Sequence, residues 1–156
     1  MATGWLIASA PSESDANGAI TGYWDGDEFN SDINAADFYS DTNNTINQVR
    51  QDEGTLQARF DGEDVRLLAG TRTITQAADN DAGNGWVVAS APDEGSAIDQ
   101  YFDGAAFVAT LDDADVLSKA AGETIESARQ EEGTAQNRFS DVDIRIIPVN
   151  TVTAIV

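Results

Sequence analysis

Apolar residues fall in short runs divided by turn signals, and the same succession of runs occurs twice along the chain. Residues 5–10, Trp5-Leu6-Ile7-Ala8-Ser9-Ala10, end at Pro11 and a Ser/Asp/Asn/Gly segment, the pattern of a strand followed by a loop. Residues 20–24 predict a second strand. Asp25-Gly26 is a favoured hairpin dipeptide that returns the chain into a third strand near Phe29. Residues 36–39 suit a further short strand or the opening of a helix. Ser40 is a candidate N-cap, as is Ser118 in the second half, Ile46 and Val49 form a helical i, i+3 pair, and Gly54 stands where a C′ glycine would end the helix. Leu56, Ala58 and Phe60 then alternate with polar residues, which predicts a strand with one buried face. Asp61-Gly62 turns that strand back into residues 65–69, the most apolar run of the unit.

The second half repeats this order. Gly4-Trp5-Leu6-Ile7-Ala8-Ser9-Ala10-Pro11 returns 81 residues later as Gly85-Trp86-Val87-Val88-Ala89-Ser90-Ala91-Pro92. Tyr23-Trp24-Asp25-Gly26 returns as Tyr101-Phe102-Asp103-Gly104, Phe29 as Phe107, and Ala36-Asp37 and Ser40 as Ala114-Asp115 and Ser118. Arg50-Gln51-Asp52-Glu53-Gly54-Thr55 becomes Arg129-Gln130-Glu131-Glu132-Gly133-Thr134, and Arg59-Phe60 becomes Arg138-Phe139. Asp64-Val65-Arg66-Leu67-Leu68 becomes Asp143-Ile144-Arg145-Ile146-Ile147. Order, spacing and residue size persist over about 70 positions with two small shifts in register, the signature of a tandem duplication. The reading is an α+β fold built from two small units at 1–76 and 85–156, joined by a linker at 77–84. Each unit is expected to be β-β-β-α-β-β, an antiparallel sheet with one packed helix, with residues 73–76 and 152–156 adding an edge strand. The copies diverge most in the loop at 12–19 and after Phe29.

Charge changes the picture next. Eight Lys and Arg against 28 Asp and Glu leave a net charge of −20 in 156 residues, which repels nucleic acid and anionic membranes and favours cationic partners or a salty environment. Cysteine and histidine are both absent, so disulfides, thiolate metal sites and Ser-His or Cys-His catalysis are excluded. No run of about 18 apolar residues is available to cross a bilayer, and Met1-Ala2-Thr3-Gly4 lacks the regions of a signal peptide, so synthesis in the cytoplasm is expected.

Six of the eight basic residues, Arg50, Arg59, Arg66, Arg129, Arg138 and Arg145, occupy matched positions. They suit either local ion pairs that hold helix to sheet or an anion site. Only Arg72 and Lys119 are unmatched. Tyr23, Trp24 and Asp25, with Tyr101, Phe102 and Asp103, are candidate binding residues, since flat rings beside a carboxylate suit a sugar. The competing reading places these rings in the core, with neighbours on a strand facing opposite ways. Asp79-Asn80-Asp81 resembles the opening of a calcium loop but lacks the later glutamate. No catalytic residue, dedicated metal site or cofactor is expected. A two-carboxylate hydrolase remains the enzymatic alternative.

As a short acidic chain without Cys or His, with duplicated Trp-containing β units and no catalytic motif, the sequence resembles the capsid decoration or knob-like accessory proteins of tailed bacteriophages, particularly marine ones. That resemblance implies a structural protein on the virion surface with a major capsid or other shell protein as partner. Copies of the chain itself are a further class of partner, and a carbohydrate-binding or adhesion module is the alternative function.

Overall fold

The computed structural model describes residues 1–11 and 18–156, so the greater part of the divergent loop expected at 12–19 lies outside the described residues. The chain divides into two compact units, the first comprising Met1–Arg72 together with Val152–Val156 and the second Thr73–Thr151. Both are mixed α/β with antiparallel strands.

In the first unit, β1 (Ala2–Ala10) pairs with β2 (Gly22–Trp24), which pairs in turn with β3 (Phe29–Asn30). A 3-10 turn at Ile33–Ala35 leads into β4 (Tyr39–Ser40), then α1 (Ile46–Arg59) and β5 (Asp64–Gln76), which lies antiparallel to β1. The second unit runs in the same order. It contains β6 (Gly85–Ala91), β7 (Gln100–Phe102), β8 (Phe107–Val108), a 3-10 turn at Leu111–Asp113, β9 (Leu117–Ser118), α2 (Ile125–Arg138) and the greater part of β10 (Asp143–Ile155). A further 3-10 turn at Lys119–Ala121 ends on Gly122 in the left-handed region and has no counterpart in the first unit.

Two expectations about the helix are corrected. The strand expected from Leu56, Ala58 and Phe60 is instead the last part of α1, which continues through Gly54 to Arg59. Val49 and Leu56, seven residues apart on one helical face, are both buried, and this burial against the sheet outweighs the propensity cost of a mid-helix glycine. Ala128 and Ala135 do the same in α2, which runs through Gly133. The order is therefore β-β-β-β-α-β, with one strand after the helix rather than two. That strand absorbs residues 73–76 and 152–155 as its own continuation. The N-caps are Thr45 and Thr124 instead of Ser40 and Ser118. The Gln48 amide donates to Thr45 Oγ1 at 3.3 Å while the Thr45 amide donates to Gln48 Oε1 at 2.7 Å, and Thr124 and Ser127 repeat this box at 3.2 and 2.8 Å. The two serines belong to β4 and β9, buried opposite Gly4 and Gly85. Backbone approaches so closely there that a Cβ on Gly4 would meet Tyr39 O and one on Gly85 would lie 2.7 Å from Leu117 O.

The helix-side core of the first unit contains Ile7, Trp24, Val49, Leu56 and Val65. In the second, Val88, Ala135 and Ile144 pack on the helix side, while Ile74, Val87, Ala89, Ala114, Ile147 and Val149 form a separate cluster.

Candidate functional site

The aromatic candidates are placed by the hairpin of each unit. Trp24 is 7% exposed and meets Phe29 and Phe60 edge-on at centroid distances of 5.4 and 6.0 Å, with Phe29 and Phe60 5.1 Å apart. Phe102, Phe107 and Phe139 build the matching triad at 5.4, 6.2 and 4.9 Å. Phe102 and Phe107 are tilted at 51°, and the other five pairs are edge-to-face, which brings the positive ring edge onto the negative face of its neighbour and adds about 0.5–1.5 kcal/mol per pair beyond area burial. Tyr23 and Tyr101 are half-buried, and Tyr101 packs against the cluster of Val87 and Val149. Asp25 Oδ1 accepts from the amides of Asp27 and Glu28 at 3.0 and 2.9 Å, and Asp103 Oδ1 from Ala105 and Ala106 at 2.9 and 2.7 Å. Both carboxylates close hairpin turns in which Gly26 and Gly104 take φ of 99° and 100°.

The matched arginines fall into three kinds. Arg50 and Arg129 form exposed i, i+3 pairs with Glu53 and Glu132 at 3.2 Å. Arg66 and Arg145 pair with Asp64 and Asp143 at 2.5 and 2.6 Å and bind loop carbonyls, Arg66 that of Gly18 and Arg145 those of Asp93, Glu94 and Ser96. Arg59 lies 5.6 and 5.0 Å from the centroids of Trp24 and Phe60, and Arg138 lies 4.8 Å from that of Phe139. Of the unmatched pair, Arg72 is 6% exposed with its guanidinium 4.9 Å from the Phe38 centroid.

Lys119 lines a surface cleft of about 550 Å³ in the second unit, together with Asp79, Asn80, Asp81, Trp86, Thr124, Ile125 and Glu126. Its Nζ donates to the Asn80 carbonyl at 2.7 Å and lies 5.2 Å from the Trp86 centroid, while Trp86 Nε1 donates to Asn80 Oδ1 at 3.0 Å. Asp79 Oδ1 accepts from the amides of Asp81 and Ala82 at 3.0 and 2.8 Å. The Asp79-Asn80-Asp81 segment is thus a turn closed on itself, and among the described residues no three acidic side chains converge as metal ligands. At the position of Lys119 the first unit carries Asp41, whose Oδ2 accepts from Thr3 Oγ1 at 2.5 Å. The two units present opposite charges at this one matched point.

Gln57 and Gln136 are a further matched pair that no motif marks. Gln57 Nε2 donates to the carbonyls of Phe60 and Glu63 at 3.3 and 2.7 Å while its Oε1 accepts the Val65 amide at 3.0 Å. Gln136 repeats all three bonds to Phe139, Val142 and Ile144. Each glutamine locks the helix end to the following strand. Their matched spacing was the available signal. In the first unit, burial first and then the carboxylates of Asp37 and Asp52, the latter as hydrogen-bond acceptor, push the Tyr39 phenol well above its ordinary pKa.

No protein-family model, curated protein or solved structure matches the chain. Among the described residues no helix is long and apolar enough to cross a membrane.

Proposed function

We propose that the chain is a tandem duplication of one α+β unit that serves as a non-enzymatic structural protein docking on a protein shell, as a capsid decoration protein does. The observation that carries this reading is the division of labour between matched and exposed residues. The matched arginines, aromatics and turn aspartates are engaged in ion pairs, ring stacks and hairpin closure within each unit. Among the described residues no Asp or Glu is buried, so the excess negative charge is available to a partner. A surface of this sign resists self-association and favours docking on basic patches of a shell protein. Two scaffolds of one design, with Asp41 and Lys119 at the same point, offer a partner two different faces. Two such faces raise avidity when neighbouring shell subunits are engaged together.

Immobilised empty capsid shells of a tailed phage, probed with the purified chain, test the proposal. Saturable binding supports it. Absence of binding, combined with a positive signal on a glycan array, would replace it with the adhesion reading.

A further inference from the structure

The chain passes from the first unit to the second in the middle of β5, between Arg72 and Thr73, and returns in the middle of β10, between Thr151 and Val152. Each long strand therefore begins in one unit and ends in the other. The tail of β10 is fastened inside the first unit, where the Val156 amide donates to Ala69 O at 3.1 Å and the Thr153 amide to Asn34 Oδ1 at 2.9 Å. The tail of β5 is fastened inside the second in the same manner. There the Ile74 amide donates to Asp112 Oδ1 at 2.7 Å and the Ala77 amide to Pro148 O at 2.9 Å. Asn34 and Asp112 are the middle residues of the two 3-10 turns at Ile33–Ala35 and Leu111–Asp113. Ile74 is 5% exposed within the Val87 and Val149 cluster, and Thr153 is 6% exposed.

The segment that joins the halves in sequence, 77–84, lies wholly in the second unit, and residues 78–82 are exposed. We infer that the two halves of the chain are strand-exchange partners, each completing the other's unit with its tail, and that the peptide connection at 79–82 is not required for the folded state. Cut there, the first piece still carries residues 73–76 of the second unit and the second piece still carries Val152–Val156 of the first. The interaction is strand addition, in which backbone amides of each tail donate to acceptors of the unit they enter and a buried side chain of each tail, Ile74 or Thr153, fixes the register. The partner each half recognises is thus another half-chain of the same design. This inference is independent of what the whole protein docks on.

The test places a protease recognition sequence between Asp81 and Ala82 of the full chain, leaving Asn80 and its bonds to Trp86 and Lys119 in place. After cutting, native mass spectrometry and gel filtration are expected to find one species containing both pieces, with the amides of Ile74 and Thr153 still protected from exchange. Separation of the pieces at micromolar concentration, or loss of the circular dichroism of the uncut chain, would overturn the inference. The same cut chain lacking 152–156 is expected to dissociate at a concentration about tenfold higher or more, since the bonds donated by the Thr153 and Val156 amides are lost. Unchanged dissociation would also overturn it. Should that deletion prevent the uncut chain from folding, Asn34→Ala removes one acceptor alone, and a several-fold shift in dissociation replaces the larger one.

Discussion

Replacing Gly54 and Gly133 by alanine separates two accounts of the helices. A glycine that ends a helix at C′ takes the left-handed conformation, where alanine is strained. Neither glycine does so, because positive φ is confined among the described glycines to Gly26, Gly104 and Gly122. Both lie inside fourteen-residue helices, and a Cβ built on either meets no atom within 4 Å. Alanine therefore adds a methyl to open space and removes the entropic penalty of glycine, a gain of about 1 kcal/mol at each site. For a chain of this length, that corresponds to a rise in Tm of about 2–4 °C per substitution. The two sites share no partner, so Gly54→Ala and Gly133→Ala should add. Differential scanning calorimetry of the single and double variants supplies the measurement, with Gly26→Ala as the control expected to lose about 1–2 kcal/mol. A fall in Tm for Gly54→Ala or Gly133→Ala would refute the continuous helices.

Gln57→Ala should cost about 2–3 kcal/mol in urea unfolding, since three bonds at the helix-to-strand junction are lost, and Gln136→Ala should cost a similar amount. Tyr39 has a raised folded pKa, so the folded state holds its proton more tightly than the unfolded state. Stability from this group is therefore present below about pH 10 and is lost as pH rises beyond that value, where the unfolded chain deprotonates first. Tyr39→Phe should flatten that part of the pH dependence. Trp24→Phe should be mild in its effect, because Phe102 fills the matched triad, whereas Trp24→Ala should cost about 3–5 kcal/mol. Sugars should leave the fluorescence of the buried Trp24 unchanged, and quenching on titration would favour the adhesion reading.

Much of this architecture was legible from local chemistry. The Trp5 and Trp86 strands, the Asp-Gly hairpins and the final apolar strands each announced themselves by a period or a turn dipeptide. The helices depart from their local sequence signals at both ends for one reason. Gly54 looks like a stop and Ser40 like a start, but propensity at a single residue yields to the burial of Val49 and Leu56 on one face and to the reciprocal Thr45–Gln48 box. A continuous helix also explains why Leu56 and Phe60 are four apart, which an alternating strand would not require. The exchange of strand tails had no local sign, since the pairing of Thr153 with Asn34 spans 119 residues. The aromatic candidates were visible by position, but which ring is buried depends on Phe60 and Phe139 arriving from the helix ends. Lys119 is the single lysine in the chain, yet its place beside Trp86 depends on a turn at Asn80 that sequence spacing alone resembles only as part of a calcium loop.

Co-sedimentation with assembled capsid shells across a salt series tests the shell-docking claim most directly. If the acidic surface docks on basic shell patches, the chain pellets with the shells at low ionic strength and is released as the Debye length falls from about 10 Å at 0.1 M salt to about 3 Å at 1 M. A chain that stays in the supernatant at every salt concentration, as a stable solitary monomer, would contradict it.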